Sequence, residues 1–418
     1  MSNRTLLYIS PEVPRLTGSG MAIRSASQIL VLSELFDVSL GVVATGVSEE
    51  EVWAAIAPEV KAVCASIVVA TTNPLIDRVL ARAGSAQGRV IVEGLSPLPL
   101  GYARVFPLLP ALADKVAAAH PGHRFDVVQC FRGVTGRMPG LLRRRGVSWG
   151  RAVLDLDDYE SFSKSRYVRQ FSANIGRQFT ALRRLEAWKL RRLEDRFVPA
   201  FDDAHVCSTA DQAMLRARFP AVRWTVVPNV VPRPPPAART RAAAFTFLFV
   251  GSLDYSPNRD AMLFFTREIL PILRRSAPAP FRVVIAGRRP DAAIQALAEL
   301  DGVDVIADPP TLAPYYAAAD VAIVPVRSGA GTRIKILEAF SFRVPVVSTE
   351  LGAEGLELAG GTDLLFGDNA ADFAVACLDL MRDPGLRERL AERGLAVFEE
   401  RFGPDRLRAV FRQLHSER

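Results

Sequence analysis

The chain has 418 residues, of which 49% are hydrophobic and 23% charged, and its formal net charge at pH 7 is +7. This length suffices for two or three domains, and the composition excludes a disordered or fibrous protein. The longest apolar runs, such as Phe245–Val250, are much shorter than the roughly 20 residues of a membrane-spanning helix. No nucleic-acid recognition motif accompanies the basic residues, so we expect no nucleic-acid partner.

The N-terminal segment and the cysteines indicate a cytoplasmic protein. Residues 1–5 lead straight into a strand-like segment and lack the length and the small residues of a signal peptide. The four cysteines are widely separated and show no metal-ligand spacing, which predicts reduced, buried thiols. They are Cys64, Cys130, Cys207 and Cys377.

In the first half of the chain, short apolar segments alternate with stretches of helical character, separated by turns rich in glycine and proline. Strands are predicted at Thr5–Ser10, Phe36–Ala44, Ala65–Ala70, Phe125–Cys130, Ala152–Asp155, Asp203–Cys207 and Arg223–Val227. Helices are predicted near Ser19–Glu34, Leu108–Ala119, Val134–Arg145, Phe171–Arg196 and Ala210–Phe219.

The second half repeats this alternation. Strands are predicted at Phe245–Val250, Phe281–Ala286, Val303–Ala307, Val321–Val326 and Val344–Ser348. Helices are predicted at Arg259–Arg275, Asp291–Leu300, Leu312–Ala319, Arg333–Ser341, Ala371–Arg382 and Pro384–Arg401. Such alternation is typical of parallel sheets with helices on both faces, so the predicted fold class is α/β with two doubly wound, Rossmann-like domains.

A proline-rich stretch separates the two halves. Pro232 and the run Pro234–Pro236 cannot continue a helix or a sheet and favour extended geometry. We therefore expect an N-terminal domain, a linker, a C-terminal domain and a terminal helix that returns to the N-terminal domain. Their predicted bounds are residues 1–228, 229–244, 245–403 and 404–418.

The most informative turn follows the strand predicted at Val321–Val326. Its two glycines allow backbone N–H groups to approach a ligand, and the following helix N-terminus favours an anion. Two basic side chains in the first turn oppose the helix dipole unless an anion is bound there. The sequence thus predicts a diphosphate site, whereas a capped surface helix with an i,i+3 ion pair is the alternative. The turn and helix contain Gly329, Gly331, Thr332, Arg333, Lys335 and Glu338.

Three blocks of the second half occur in a specific order. They are Val250–Asp260 (VGSLDYSPNRD), Gly329–Ala339 (GAGTRIKILEA) and Pro345–Leu356 (PVVSTELGAEGL). Together they resemble the nucleotide-binding domain of the retaining glycosyltransferases of family 4, or group 1, and within it a bacterial subgroup. The resemblance implies the GT-B architecture, in which two Rossmann-like domains face each other across a cleft and ligands bind beyond the carboxyl ends of strands.

The resemblance also implies residue roles. Glu338 matches the glutamate that binds the ribose hydroxyls, whereas the first glutamate of the family motif falls on Ala330. The family's diphosphate-binding Arg and Lys fall near Ser252 and near Pro257 or Asn258, so the positive charge is implied to come from other residues. Arg333 and Lys335 are the implied replacements, which would stabilise the leaving diphosphate. The implied donor-binding residues are Gly251, Ser252, Asn258, Gly329, Gly331, Thr332 and Glu338.

A glycine loop follows the first predicted strand. Gly18, Ser19 and Gly20 precede a helix that carries Arg24. The loop resembles the one that family members place beside the donor phosphate and the acceptor, which makes these four residues candidates for phosphate or acceptor contacts. A lone Gly-x-Gly is equally well explained as simple turn chemistry.

Three carboxylates, Asp155, Asp157 and Asp158, lie at the end of the strand predicted at Ala152–Asp155. They repel one another unless solvent, hydrogen bonds or cations offset their charge. Many family members carry a histidine here, near the reacting sugar, and Asp157 occupies about that place. Asp157 and Asp158 are therefore candidate catalytic residues, with Asp155 as a further alternative. A structural role, in which Asp155 caps and the others are solvated, is the competing interpretation.

The segment Gly176–Arg196 interleaves six arginines with apolar residues at spacings of three and four. One hypothesis is peripheral contact with an anionic membrane surface, which would place the enzyme on the inner face of the membrane. The other is an arginine-rich, solvated helix that covers the acceptor-binding domain.

These features predict a glycosyltransferase that transfers a sugar from a nucleoside diphosphate sugar to an acceptor hydroxyl, in cell-surface polysaccharide or glycoconjugate biosynthesis. The acceptor is expected to be a saccharide, a lipid-linked or a small molecule. No metal and no other cofactor are expected, because a helix-held diphosphate requires none, although Asp155 and Asp157 resemble the Asp-x-Asp metal motif of another glycosyltransferase architecture. The alternatives are natural-product glycosylation and a non-catalytic sugar-nucleotide-binding partner of another transferase. A pyridine-nucleotide oxidoreductase is disfavoured, because no Gly-x-Gly-x-x-Gly follows a strand.

Overall fold

The computed structural model describes residues 4–72, 77, 79, 82, 91–92, 94–175, 177–234, 244–328 and 334–416. The chain divides into two compact units. The first comprises Met1–Pro228 together with Leu407–Arg418, and the second comprises Asn229–Arg406. Each unit is built on one parallel β-sheet.

The sheet of the first unit has the strand order β3-β2-β1-β4-β5-β6-β7 within the described residues, and every neighbouring pair is parallel. The order reverses between β1 and β4, which makes the carboxyl ends of these strands a topological switch point. The strands are β1 (Thr5–Ser10), β2 (Asp37–Thr45), β3 (Cys64–Thr72), β4 (Arg124–Phe131), β5 (Ser148–Asp157), β6 (Asp203–Val206) and β7 (Arg223–Val226).

The sheet of the second unit has the strand order β10-β9-β8-β11-β12-β13 in the described part of that unit, again entirely parallel. Here the order reverses between β8 and β11. The strands are β8 (Phe245–Ser252), β9 (Phe281–Arg288), β10 (Val303–Ala307), β11 (Val321–Val324), β12 (Val346–Ser348) and β13 (Leu365–Phe366).

Helices connect the strands in both units. In the first half of the chain the described α-helices span Gly20–Leu32, Glu49–Ala55, Pro58–Val63, Leu100–Val105, Leu109–Ala119, Met138–Arg143, Glu160–Ile175, Arg177–Phe197 and Thr209–Arg218. In the second half they span Ser256–Phe264, Leu270–Ser276, Ala292–Gln295, Ala313–Ala318, Ile334–Ser341, Ala370–Arg382, Pro384–Val397 and Pro404–Ser416.

Each unit has its own hydrophobic core. The strands are apolar over most of their length because a sheet covered by helices on both faces buries every side chain of its central strands. In β1, for example, five of the six residues are buried. In β8 the buried stretch is Thr246–Val250. The α/β fold class with two doubly wound sheets, predicted from the alternation of segments, is therefore confirmed.

The terminal helix Pro404–Ser416 joins the first unit from Leu407 onward. Arg408 donates to Glu34 at 2.7 Å, and Arg4 donates to the carbonyl oxygen of His415 at 3.0 Å. The His415 ring also lies edge-on against Phe36, with 4.9 Å between the ring centroids.

Two predicted helices differ from the structure for local reasons. The helix predicted at Val134–Arg145 begins only at Met138, because residues 133–135 form a 3₁₀ turn and Pro139 is suited to the first helical turn. The helix predicted at Arg259–Arg275 is interrupted by a π-helical turn at Phe265–Ile269. Pro271 lies two positions after Ile269, and its missing N–H accounts for the change of hydrogen-bond pattern.

Candidate functional site

The predicted diphosphate loop lies mostly outside the described residues. Strand β11 ends at Val324, and the following helix is described from Ile334 onward. The predicted site residues outside the described part are Gly329, Gly331, Thr332 and Arg333, together with Ala330, on which the first family glutamate falls. Lys335 and Glu338 lie within the described helix.

Lys335 reaches from its helix to the carboxyl end of β8. Its ammonium donates to Oδ1 of Asn258 at 2.6 Å and lies 4.1 Å from the centroid of the Phe249 ring. The amide of Asn258 in turn donates to the carbonyl oxygen of Ser252 at 2.9 Å. Two of the predicted donor-binding residues, Ser252 and Asn258, are thus joined with Lys335 in one hydrogen-bonded chain that includes a positive charge.

Gly251 completes this group. A Cβ atom at this position would lie 2.6 Å from the side-chain nitrogen of Asn258 and 3.2 Å from the ammonium of Lys335. Any larger residue would therefore push the amide and the ammonium away. The glycine in the Val-Gly-Ser block is required because it leaves room for a lysine from another element.

Glu338 lies one helical turn after Lys335 and is only partly exposed. The Tyr316 hydroxyl donates to its Oε2 at 3.1 Å, and the Tyr316 ring stacks on Phe342 with 4.9 Å between centroids. Burial raises the pKa of Glu338 to about 7, although the Tyr316 hydrogen bond and the Lys335 charge both act to lower it. Hydrogen bonds join Lys335 to Asn258 and Glu338 to Tyr316, and Lys335 also acts on Glu338 through its charge.

In the first unit, Arg24 and Asp155 form a buried ion pair. The side chains are 1% and 0% exposed, and the guanidinium donates to both carboxylate oxygens at 2.8 and 3.0 Å. A third N–H of Arg24 donates to the carbonyl oxygen of Val227 at 3.0 Å. The amide of Gln28, one turn further along the helix, also donates to Asp155. The cation holds the pKa of Asp155 below its usual value despite complete burial.

Asp157 and Asp158 face a second arginine. Arg132, which follows β4, donates to Asp158 at 2.5 Å and to Asp157 at 3.3 Å, and it also donates to Glu160. The Asp157 carboxylate lies 3.7 Å from Arg24 on its other side. Burial raises the pKa of Asp157, whereas the two guanidinium groups oppose that rise. The repulsion expected among the carboxylates is thus offset by two cations.

The glycine loop has a clear local structure. Gly18 has a φ of 107°, a conformation that L side chains rarely adopt, and Ser19 caps the helix that begins at Gly20. The Ser19 hydroxyl accepts from the N–H of Ala22 at 3.1 Å. Arg24, predicted as part of this group, is directed into the core toward Asp155, so its observed role is to attach the helix to the end of β5.

Sequence reasoning missed two residues that organise these groups. Arg132 directly follows β4, and Asp157 is the last residue of β5. These two parallel strands are neighbours, and their carboxyl ends lie at the same edge of the sheet. A correct prediction of this strand pairing would therefore have placed Arg132 near Asp157. Tyr316 gave no signal of its own, because an aromatic residue in an apolar helix more often belongs to the core.

The Arg-rich segment predicted at Gly176–Arg196 corresponds to the helix Arg177–Phe197; Gly176 lies outside the described residues. Its exposed face carries Arg184, Leu185, Trp188, Arg191 and Arg192. Within the part of the chain that the structure describes, no helix is both long and apolar enough to cross a membrane. In the same part, no group of three or more His, Cys, Asp or Glu side chains is arranged to hold a metal ion.

Comparisons with known proteins concern the second unit and the fold. Residues 244–383 match the family model described as glycosyl transferases group 1. A comparison with curated proteins found no match. Among solved structures, sucrose-phosphate synthase from Thermosynechococcus elongatus has a TM-score of 0.65 at 15% identity, and 99% of each chain is covered.

Two further solved structures are similar over their whole length. Anabaena HepE in complex with UDP-glucose has a TM-score of 0.63 at 15% identity, covering 99% of this chain and 100% of that one. Staphylococcus aureus TarM, in complex with UDP and saccharide ligands, has a TM-score of 0.60 at 9% identity, covering 98% and 99%. At these identities the likeness shows the fold, here the GT-B fold. The second unit therefore contains a group 1 glycosyltransferase domain, and the protein is a glycosyltransferase.

Proposed function

We propose that the protein transfers a sugar from a nucleoside diphosphate sugar to an acceptor hydroxyl with retention of anomeric configuration, as a family 4 enzyme. The observation that carries this proposal is the group formed by Gly251, Ser252, Asn258 and Lys335 at the switch point of the second sheet. It places a cation and an amide beside a glycine, at the position where ligands bind in doubly wound sheets. HepE, which shares the fold, binds UDP-glucose.

The proposed chemistry assigns one task to each group. Lys335, together with Arg333 and the amides of the Gly329–Thr332 loop, stabilises the negative charge that develops on the leaving diphosphate. Glu338 accepts hydrogen bonds from the ribose hydroxyls, and its orientation is maintained by Tyr316. In the first unit, Asp157 or Asp158 contacts the transferred sugar or the acceptor.

Cell-surface polysaccharide or glycoconjugate assembly is the setting that we propose. No metal is required in this scheme, since the oxygens of Asp155 are already engaged by Arg24 and Gln28.

The function is tested by incubating the protein with UDP-, GDP- and dTDP-linked hexoses and a panel of saccharide acceptors, with and without EDTA. Transfer whose product keeps the donor's anomeric configuration by proton NMR supports the proposal. Binding without turnover of any donor would favour the non-catalytic alternative.

Replacing Lys335 by alanine is expected to weaken the binding of a nucleoside diphosphate by about 1.5–3 kcal/mol, the size of a charge-assisted hydrogen bond. The fold should be little affected, because the Lys335 side chain is partly exposed. Calorimetric titration of UDP or GDP measures the change. Arg289→Ala, which removes an exposed cation paired with Asp254 in the same unit, is the control. Equal affinity in the wild type and in Lys335→Ala would remove Lys335 from the donor site.

Donor binding is expected to weaken as the pH falls from 8 to 6. The pKa of Glu338 is raised to about 7, so below that value the carboxylate becomes protonated and accepts hydrogen bonds from ribose less well. The loss approaches tenfold per pH unit at its steepest. Titration with a nucleoside diphosphate sugar is the measurement, because its diphosphate does not change charge in this range. Glu338→Gln should bind with an affinity that no longer varies with pH; an unaltered pH dependence would contradict this role.

We further propose that the exposed face of helix Arg177–Phe197 makes peripheral contact with an anionic membrane. Trp188 and Leu185 are 53% and 40% exposed, and arginines flank them, a pattern suited to the lipid headgroup region. The protein is expected to float with phosphatidylglycerol vesicles and not with phosphatidylcholine vesicles, and Leu185→Ser with Trp188→Ser should abolish flotation. Val375→Ser, at an equally exposed position in the second unit, is the control. Flotation of the double variant would refute this contact surface.

A further inference from the structure

Arg132 occupies a turn with an unusual backbone. It follows β4 with a φ of 66°, in the left-handed region that few residues other than glycine adopt. The next residue, Gly133, has no room for a side chain, because a Cβ atom would lie 2.6 Å from the Tyr102 hydroxyl oxygen. The N–H of Arg132 donates to the carbonyl oxygen of Asp155 at 2.6 Å. The close approach of Gly133 to Tyr102 and the hydrogen bond from Arg132 to Asp155 therefore fix the direction in which the Arg132 side chain leaves the sheet.

The backbone at the end of β5 directs the Asp157 side chain toward Arg132. Asp157 also has a φ of 66°, and its N–H donates to the Asp155 carboxylate at 3.0 Å. The pairing of β5 with β6 shifts by one residue between Asp155 and Asp157. Such an irregularity redirects a side chain at the end of a strand. Here it brings the Asp157 carboxylate to 3.3 Å from the Arg132 guanidinium, which also binds the carbonyl oxygen of Leu156 at 3.2 Å.

Arg132 supplies one of the two positive charges that face the carboxylates at this edge. Four carboxylates lie together, and Arg24 is committed to Asp155 through two hydrogen bonds. Arg132 contacts all three remaining carboxylates, each of which is less than one-fifth exposed, whereas Arg24 reaches Asp157 among them at 3.7 Å. Its loss would leave three partly buried negative charges to repel one another. These three are Asp157, Asp158 and Glu160.

We propose that Arg132 is a positioning residue of the reaction, which holds Asp157 and Asp158 in the orientation and charge state in which they act on the sugar. This inference rests on the proposed transferase function and on the role of these carboxylates within it. Arg132 acts through the carboxylates, since the described hydrogen bonds of its side chain go to them, to Glu160 and to the carbonyl oxygen of Leu156. The guanidinium binds Asp158 through Nη1 and Glu160 through Nη2, two nitrogens held apart in a rigid planar fork, and the single nitrogen of a lysine does not reproduce this geometry.

The test compares Arg132→Met and Arg132→Lys with the wild type, using the donor and acceptor pair that gives the highest turnover in the hexose panel. Arg132→Met is expected to lower kcat by at least 30-fold while UDP binding stays within twofold, because Lys335 and Asn258 belong to the other unit. Arg151→Met is the matched control. Its side chain is also 15% exposed and also pairs with an aspartate, but it lies near the opposite end of β5, about 20 Å from Asp157.

The pH profile separates positioning from a general loss of structure. Removing the cation raises the pKa of Asp157 further. In Arg132→Met, the acid limb of the pH profile, where kcat falls with decreasing pH, should therefore shift to higher pH by about one unit or more. Arg132→Lys keeps the charge and should keep the limb near its wild-type position at a reduced kcat. The other titratable or charged groups that act on Asp157 are Tyr8, Arg24, Asp155 and Asp158, while His205 acts on Asp155 and Cys207 on Arg24. All of these groups are unchanged in both variants.

The outcomes are distinct. If the wild type transfers sugar and Arg132→Met has the same kcat and pH profile, the role of Arg132 is overturned. The proposed function is then left intact. Equal losses in Arg132→Met and Arg151→Met, in proportion to lost folded protein by circular dichroism, also overturn it. No transfer by the wild type with any donor overturns the proposed function and this inference together. A kcat loss confined to the Arg132 variants, with the shifted limb, supports both.

Discussion

Replacing Arg24 by methionine is expected to lower the free energy of unfolding of the first unit by about 3–5 kcal/mol. Methionine fills much of the same space, so the main cost is electrostatic. Asp155 is completely buried, and its counterion would be lost together with two hydrogen bonds. The carbonyl oxygen of Val227 would also lose its donor.

The measurement uses tryptophan fluorescence during urea unfolding. All four tryptophans, Trp53, Trp149, Trp188 and Trp224, belong to the first unit, so their signal follows that unit alone. Arg145→Met is the control, because Arg145 pairs with Asp114, whose side chain is 66% exposed. Pairs of this kind contribute about 0–1 kcal/mol.

A double variant tests the cause. If the cost comes from the unpaired carboxylate, Arg24→Met combined with Asp155→Leu should be more stable than Arg24→Met alone, since no charge remains buried at this position. Additive losses would instead indicate that packing around the Arg24 side chain accounts for the effect. A loss below 1 kcal/mol in Arg24→Met would contradict the electrostatic account.

The fold could be predicted from the sequence because parallel strands covered on both faces are continuous apolar runs. Strands such as Thr5–Ser10 and Val303–Ala307 have the predicted bounds. The two-residue strand Leu365–Phe366 was missed, since it is too short to show a pattern. The helices Glu49–Ala55 and Pro58–Val63 were missed as well, because seven and six residues are too few to show a helical period.

The candidate sites could be predicted only in part, and the reason is long-range contact. The sequence marks Asp157 and Lys335 by local pattern, yet it does not show that Lys335 bonds to Asn258, 77 positions away. The role of Arg24 was likewise hidden. Its partner Asp155 is 131 positions further along the chain, so a residue beside a glycine loop proved to be part of the core.

Replacing Asp157 by asparagine is expected to lower kcat by roughly 100-fold, about 2.7 kcal/mol of transition-state stabilisation. Asparagine keeps the shape of the side chain and removes its negative charge. If the carboxylate contacts the transferred sugar or stabilises the positive charge that develops on the anomeric carbon, that charge is what the reaction requires. The binding of UDP or GDP should be nearly unchanged, because Asp157 belongs to the first unit and the Lys335 group to the second.

The measurement pairs steady-state transfer with nucleotide titration, on Asp157→Asn and on Asp158→Asn. Asp114→Asn, an exposed carboxylate of the same unit that also pairs with an arginine, is the control. The fold should tolerate both substitutions, since each leaves Arg132 with other carboxylates to bind. Turnover within two- or threefold of the wild type in both variants would reject a catalytic role for this cluster. Loss of nucleotide affinity along with turnover would instead mean that the donor binds on the first unit, because the described contacts of both aspartates lie within that unit.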